Sequence, residues 1–162
     1  MFLKESIIKG GLFHLSENDD LDKILITPRV PSIFDDGVRS NLEEGKTPRF
    51  CMAPTLEGCL NGLGFLFKKL NKKPFIRFVV YSNRESLTNF YDYNYLTENR
   101  LVHDAYLTEE HWILQPLHLD KLGSFYFSKE NIKGGKRIYP YNDHNEKKLN
   151  TYFFVFTDLP KF

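Results

Sequence analysis

The sequence predicts an α+β fold, and three observations lead to it. Short runs that alternate in polarity or are rich in β-branched and aromatic residues, such as "GLFHLS", "FIRFVVYS" and "NTYFFVFTDL", have the character of strands. Between the first two lies one long stripe, "PTLEGCLNGLGFLFKKL", in which Leu56, Cys59, Leu60, Leu63, Phe67 and Leu70 recur at helical spacing. The chain also carries 15 Phe and 9 Tyr in 162 residues, so large rings fill much of the core.

In chain order, the strand Leu12 to Leu15 puts Phe13 and Leu15 on one face and Leu12 and His14 on the other. "ENDDLDKIL" then predicts a short helix capped by Ser16 or Asn18 and carrying Leu21, Ile24 and Leu25, until "TPRVP" stops it. Pro28 to Pro48 has the composition of a loop, and "RFCMA", Arg49 to Ala53, is a second strand. The long stripe follows as one helix behind Pro54 and Thr55. Gly58, Gly62 and Gly64 weaken it on propensity; close approach of another backbone explains them better than a phosphate loop, which would precede the helix.

"FIRFVVYS", Phe75 to Ser82, is the strongest strand and is expected at the centre of a sheet. The Tyr-rich "NFYDYNYLTENRLVHDAYLTEE" has poor periodicity and reads as irregular chain. "HWILQPLHL" and "LGSFYFS" read as two strands joined at a "DK" turn, "KENIKGGKRIYPYNDHNEKK" as a polar excursion, and "NTYFFVFTDL" as the last strand. No linker or internal repeat divides the chain, so one domain over residues 1–162 is expected.

Charge narrows the function. Lys and Arg number 22 against 21 Asp and Glu, a net +1, so no overall field steers the protein to nucleic acid or an anionic membrane. The densest basic cluster, "FKKLNKK", falls where the long helix ends and complements its last carbonyls. Cys51 and Cys59 lack CxxC spacing, so neither a disulfide framework nor a zinc site is indicated, and two free, buried thiols are expected. No apolar run approaches the ~18 residues of a membrane span, and the N-terminal apolar stretch is too short for a signal peptide, which leaves the cytoplasm as the expected compartment.

Several residues have the chemistry of a binding site. His14 shares a strand face with Ser16, and its ring can donate to a ribose hydroxyl or a phosphate; the competing account is a half-buried histidine satisfied by backbone. Arg29 and Arg49 are flanked by prolines that stiffen the backbone, which suits two guanidiniums to a diphosphate. Salt bridges to Asp35, Asp36, Glu43 or Glu44 explain them equally well. Thr55 caps the helix behind it, a role compatible with an anion at the helix start, and Glu57 complements the dipole. Trp112 suits either core packing or stacking on a base. His103, His111, His118 and His144 match no familiar metal signature, so no metal is expected.

The motifs "LFHLS", "RFCMAPTLEGCL" and "TEEHWILQPLHLDKLGSFYFS", the last with a Glu opening a strand, resemble the ADP-ribosyltransferase-like fold, in particular its histidine-type branch. With "TPRVP", "PRFCMAP" and "GCL" the pattern also resembles small uncharacterised proteins of phages and prophages. The likeness spans residues 11–128, with Leu15 where the family has glycine after the histidine, and no Tyr in the middle motif. It implies antiparallel or mixed sheets around a cleft with two or three short helices, and NAD or a related nucleotide as cofactor. His14 and Ser16 would hold the dinucleotide, Arg29, Arg49 and Thr55 would serve its phosphates, and Glu110 would stabilise the charge developing at the ribose C1. Glu109 is the alternative to Glu110, since neighbours on a strand point oppositely. Tyrosines from Tyr91 to Tyr95 would cover the nicotinamide or the acceptor. A second expectation is a non-catalytic phage-encoded protein that captures a nucleotide signal of host defence or inhibits a host macromolecule.

Overall fold

The computed structural model describes residues 11–31, 44–63, 66–102, 104–138 and 151–162. Most of the Pro28 to Pro48 loop, Gly64, His103, His144 and the far part of the polar excursion lie outside the described residues. The rest is α+β, built from small antiparallel sheets and a few short helices.

Eight strands are described: β1 (Phe13–Ser16), β2 (Phe50–Met52), β3 (Ile76–Asn83), β4 (Phe90–Tyr91), β5 (His111–Ile113), β6 (Leu119–Phe127), β7 (Ile132–Ile138) and β8 (Thr151–Phe156). The helices are α1 (Leu56–Asn61), α2 (Leu66–Leu70), α3 (Tyr93–Glu98) and α4 (Ala105–Thr108). One sheet has the order β1-β3-β6 and a second β2-β5-β4, while β7 and β8 form a two-stranded antiparallel sheet. The two three-stranded sheets meet at an antiparallel bridge, where Phe13 N–H donates to Ala53 O at 2.7 Å and Ala53 N–H returns to Phe13 O at 3.0 Å.

β3 is central, as its composition predicts, because both of its faces are covered. Ile76, Phe78 and Val80 pack with Leu60, Leu66 and Phe127 on one side, and Val79 and Tyr81 pack with Met52, Phe90 and Ile113 on the other. A strand buried on both sides reads as a continuous apolar run, which is why it stood out. A third cluster gathers Leu96, Val102, Ala105 and Trp112 behind β5.

Five sequence expectations are corrected here. The predicted long helix is two: Gly62 closes α1, and α2 resumes at Leu66. The predicted helix at Leu21 to Leu25 is a 3-10 turn at Leu21–Lys23, because the side chains of Ser16 and Asn18 instead accept from Asn18 N–H and Asp20 N–H, closing local turns ahead of it. The Tyr-rich segment is not irregular; Asp92 caps α3 by accepting from Tyr95 N–H at 2.8 Å. No turn forms at Asp120–Lys121, since β6 runs through both in register with Ser82 and Tyr81, and it belongs to a different sheet from β5. The polar excursion opens with a 3-10 turn at Lys129–Asn131 and continues as β7, whose Gly134 and Gly135 are paired with β8.

The cluster at Lys68 to Lys73 does lie at a helix end, and it also reaches across to the residue just after β1, where Glu17 pairs with Lys69 and, at 3.9 Å, with Lys73. No helix among the described residues is long and apolar enough to cross a membrane.

Candidate functional site

A cavity of about 250 Å³ opens where the two sheets meet. Its walls come from β1, from β2 and its flanks, from α1 and the residues just after it, from Pro31, and from the end of α4 and the residue ahead of β5. His14, Arg49 and Glu110 all line it, joined by Cys51, Thr108 and Pro31.

His14 is placed by β1, which pairs with β3, and by the β2 backbone beside it. Its Nδ1 lies 3.0 Å from the Cys51 carbonyl oxygen. A carbonyl only accepts, so Nδ1 carries the hydrogen and the neutral ring has its lone pair on Nε2. Burial lowers the His14 pKa below the ordinary 6.5, outweighing the raising effect of the bond to Cys51, and the ring is neutral at pH 7. The sequence reading of His14 as a donor is therefore corrected: its N–H serves the protein, and the nitrogen left for a ligand is an acceptor. The ring also packs on Phe50, with centroids 4.4 Å apart.

Glu110 immediately precedes β5. Its Oε1 accepts from Trp112 Nε1–H at 2.8 Å and from the Cys51 thiol at 3.1 Å. The choice between the paired acids is decided by the backbone. Glu109 ends α4 in the left-handed region at φ 56°, and its carboxylate is taken up by the Thr55 hydroxyl, from which it accepts at 3.2 Å, and does not line the cavity. Glu110 is left facing the cavity.

Arg49 is almost fully buried, 3% exposed. Its guanidinium lies over the Trp112 ring, 3.8 Å from the centroid, and Nη1 donates to Thr47 O at 3.1 Å. Buried cations of this kind are held by such faces and by carbonyls rather than by water.

Three of the residues assigned to the nucleotide do not line the cavity. Arg29 pairs with Arg49 through backbone at an antiparallel bridge, but its side chain is exposed; Pro31, two residues on, reaches the rim. Ser16 closes its local turn with Asn18. Thr55 caps α1 by accepting from Gly58 N–H at 2.9 Å and donates to Glu109, so its hydroxyl is used twice by the fold. Tyr91 and Tyr95 stack on each other at 4.4 Å and do not line the cavity either.

Gly58 shows why the glycines in α1 matter: a Cβ there would sit 2.4 Å from Thr108 O. Its absence lets α4 close on α1 and brings the Glu110 segment to the cavity, which is the backbone approach expected from the sequence.

Cys51 has no site role in the sequence reading, and Trp112 has there only the alternatives of core packing or stacking on a base, not a partner for Glu110 or Arg49. Both were legible as neighbours, because residues two apart on a strand share a face. Cys51 stands two positions from Arg49, Trp112 two from Glu110, and Cys51 and Trp112 are partners across the β2–β5 ladder. Both cysteines are free and half-buried rather than fully buried. No group of three His, Cys, Asp or Glu residues suited to a metal ion occurs among the described residues. Comparison with protein-family models, with curated proteins and with solved structures finds no match.

Proposed function

We propose that this chain is a nucleotide-binding protein of ADP-ribosyltransferase-like type that takes the nicotinamide–ribose end of NAD, or of a related nucleotide, and acts at the ribose C1. The observation that supports this is the convergence of His14, Arg49 and Glu110 on one concave surface, from three segments far apart in the chain. Dinucleotide pockets are larger, about 300–1,000 Å³ being usual for small-molecule sites, so a cavity of about 250 Å³ suits one end of the molecule and leaves the remainder outside it.

The donor set fits such an end. His14 Nε2 accepts from a ribose hydroxyl, the Glu110 carboxylate faces the sugar, and the Arg49 guanidinium supplies the cation for a phosphate. As the C1–N bond breaks, nicotinamide leaves with the electron pair and positive charge spreads over the ribose ring. A carboxylate fixed in place by two hydrogen bonds stabilises that charge without having to reorganise. A nucleophile then adds at C1.

A second reading keeps the pocket and omits the chemistry. It is favoured by the two protein donors on Glu110 Oε1: Trp112 holds the carboxylate against its own strand, and the Cys51 thiol ties it to β2, which gives it a structural role. Calorimetric titration with NAD and incubation with NAD labelled on the nicotinamide separate the two readings. The enzyme reading expects binding, nicotinamide release, and loss of release in Glu110→Gln with binding kept. Binding with no release in either form supports the binder, and a wild-type protein that takes up no nicotinamide nucleotide overturns both.

A further inference from the structure

Trp112 is the chain's one tryptophan and the middle residue of β5, fully buried among Leu96, Val102 and Ala105. It does not line the cavity, yet two groups that do are fastened to it. Its ring edge donates Nε1–H to Glu110 Oε1 at 2.8 Å, and its ring face carries the Arg49 guanidinium at 3.8 Å.

A buried indole needs a partner for its N–H, and a backbone carbonyl would serve for packing purposes. Here the partner is a side-chain carboxylate, whose bond is shorter and stronger than one to a neutral acceptor. The ring face could equally have met an aliphatic neighbour; it meets a cation instead. Trp112 has two side-chain torsions, both fixed by the surrounding core, so its edge and its face stand in a constant relation to each other. The strand geometry supports the same arrangement, because Glu110 precedes Trp112 by two residues and Cys51, its partner across the ladder, follows Arg49 by two.

We propose that Trp112 is a positioning residue that fixes the Arg49 guanidinium and the Glu110 carboxylate relative to one another at the cavity wall, so that a ligand meets them as one preorganised pair. What this does for turnover rests on the nucleotide reading above; the positioning itself does not.

The test uses the full chain and two independent readouts. With one tryptophan, a nitrogen–proton correlation spectrum shows one indole N–H signal. Glu110→Gln replaces a charged acceptor by a neutral one without touching the core, and the indole proton signal is expected to move upfield. Arg49→Met is expected to change the Trp112 fluorescence by removing the cation from its face. Trp112→Phe keeps an aromatic face and deletes the N–H; nicotinamide release is expected to lose about ten- to a hundredfold in kcat with KM near the wild-type value. An indole signal unmoved by Glu110→Gln overturns the proposal, whether or not Trp112→Phe folds. So does a folded Trp112→Phe protein with wild-type kcat and KM. A moved indole signal in a protein that binds no NAD supports the positioning and overturns the nucleotide reading.

Discussion

The Cys51 thiol donates to Glu110 Oε1 across 3.1 Å, tying the middle of β2 to the residue just ahead of β5. Cys51→Ala removes that donor, and a loss of about 1 kcal/mol in unfolding free energy is expected. Cys51→Ser keeps a hydroxyl donor and is expected to lose less. Urea unfolding of the three proteins checks the order; equal midpoints for all three would show that the contact contributes nothing.

Two histidines give the fold a pH dependence of definite sign. Burial lowers the pKa of both His14 and His111 below the ordinary 6.5, and in each the Nδ1 hydrogen goes to a backbone carbonyl, Cys51 O and Glu109 O respectively. Below about pH 6.5 the unfolded chain takes up protons that the native rings resist, so stability is full above that pH and falls as the pH drops towards the lowered values. Each pH unit of resistance by one ring corresponds to about 1.4 kcal/mol. The expected result is a lower urea midpoint at about pH 5.5 than at about pH 7.5, with part of the difference lost in His111→Asn. Identical midpoints at the two pH values would refute it.

Gly58→Ala tests the close approach of α4 to α1. Alanine improves helix propensity by about 1 kcal/mol over glycine, but the new methyl would meet Thr108 O at 2.4 Å and Thr55 Oγ1 at 3.0 Å. The backbone oxygen cannot swing away as a side chain would, so strain wins. A net loss of about 1–3 kcal/mol is expected in thermal or urea unfolding. A more stable variant would mean that the helices separate freely.

Cys59 is expected to resist alkylation in the folded protein. The residue as a whole is half-buried and lines the cavity, but desolvation of the sulfur itself pushes its thiol pKa up to about 12, and the S–H donates to Phe13 O at 3.2 Å. Mass spectrometry after iodoacetamide treatment at about pH 8 should find Cys59 unmodified until denaturant is added. Rapid labelling of Cys59 in native protein would contradict the geometry.

What could be read from the sequence divides along physical lines. β3 was legible because burial on both faces writes a long apolar run, and Thr55 because a cap is a local device. β7 was not, since a strand containing Gly134 and Gly135 takes its structure from its partner β8 and not from its own residues. Within the site, His14, Arg49 and Glu110 all line one cavity, whereas Ser16 is engaged by the N–H of Asn18 and Arg29 meets Arg49 only through backbone, with its side chain exposed. Cys51 and Trp112 are unremarkable in isolation. Their importance comes from standing opposite each other in a ladder whose register no single strand encodes.

The bridge between Phe13 and Ala53 means that neither sheet possesses the cavity by itself: β1 brings the imidazole, while β2 and the lead into β5 bring the guanidinium and the carboxylate. Fragments and half-organised intermediates consequently have no seat to offer. A molecule that occupies the seat selects the finished protein and shifts the folding equilibrium towards it in proportion to its own concentration.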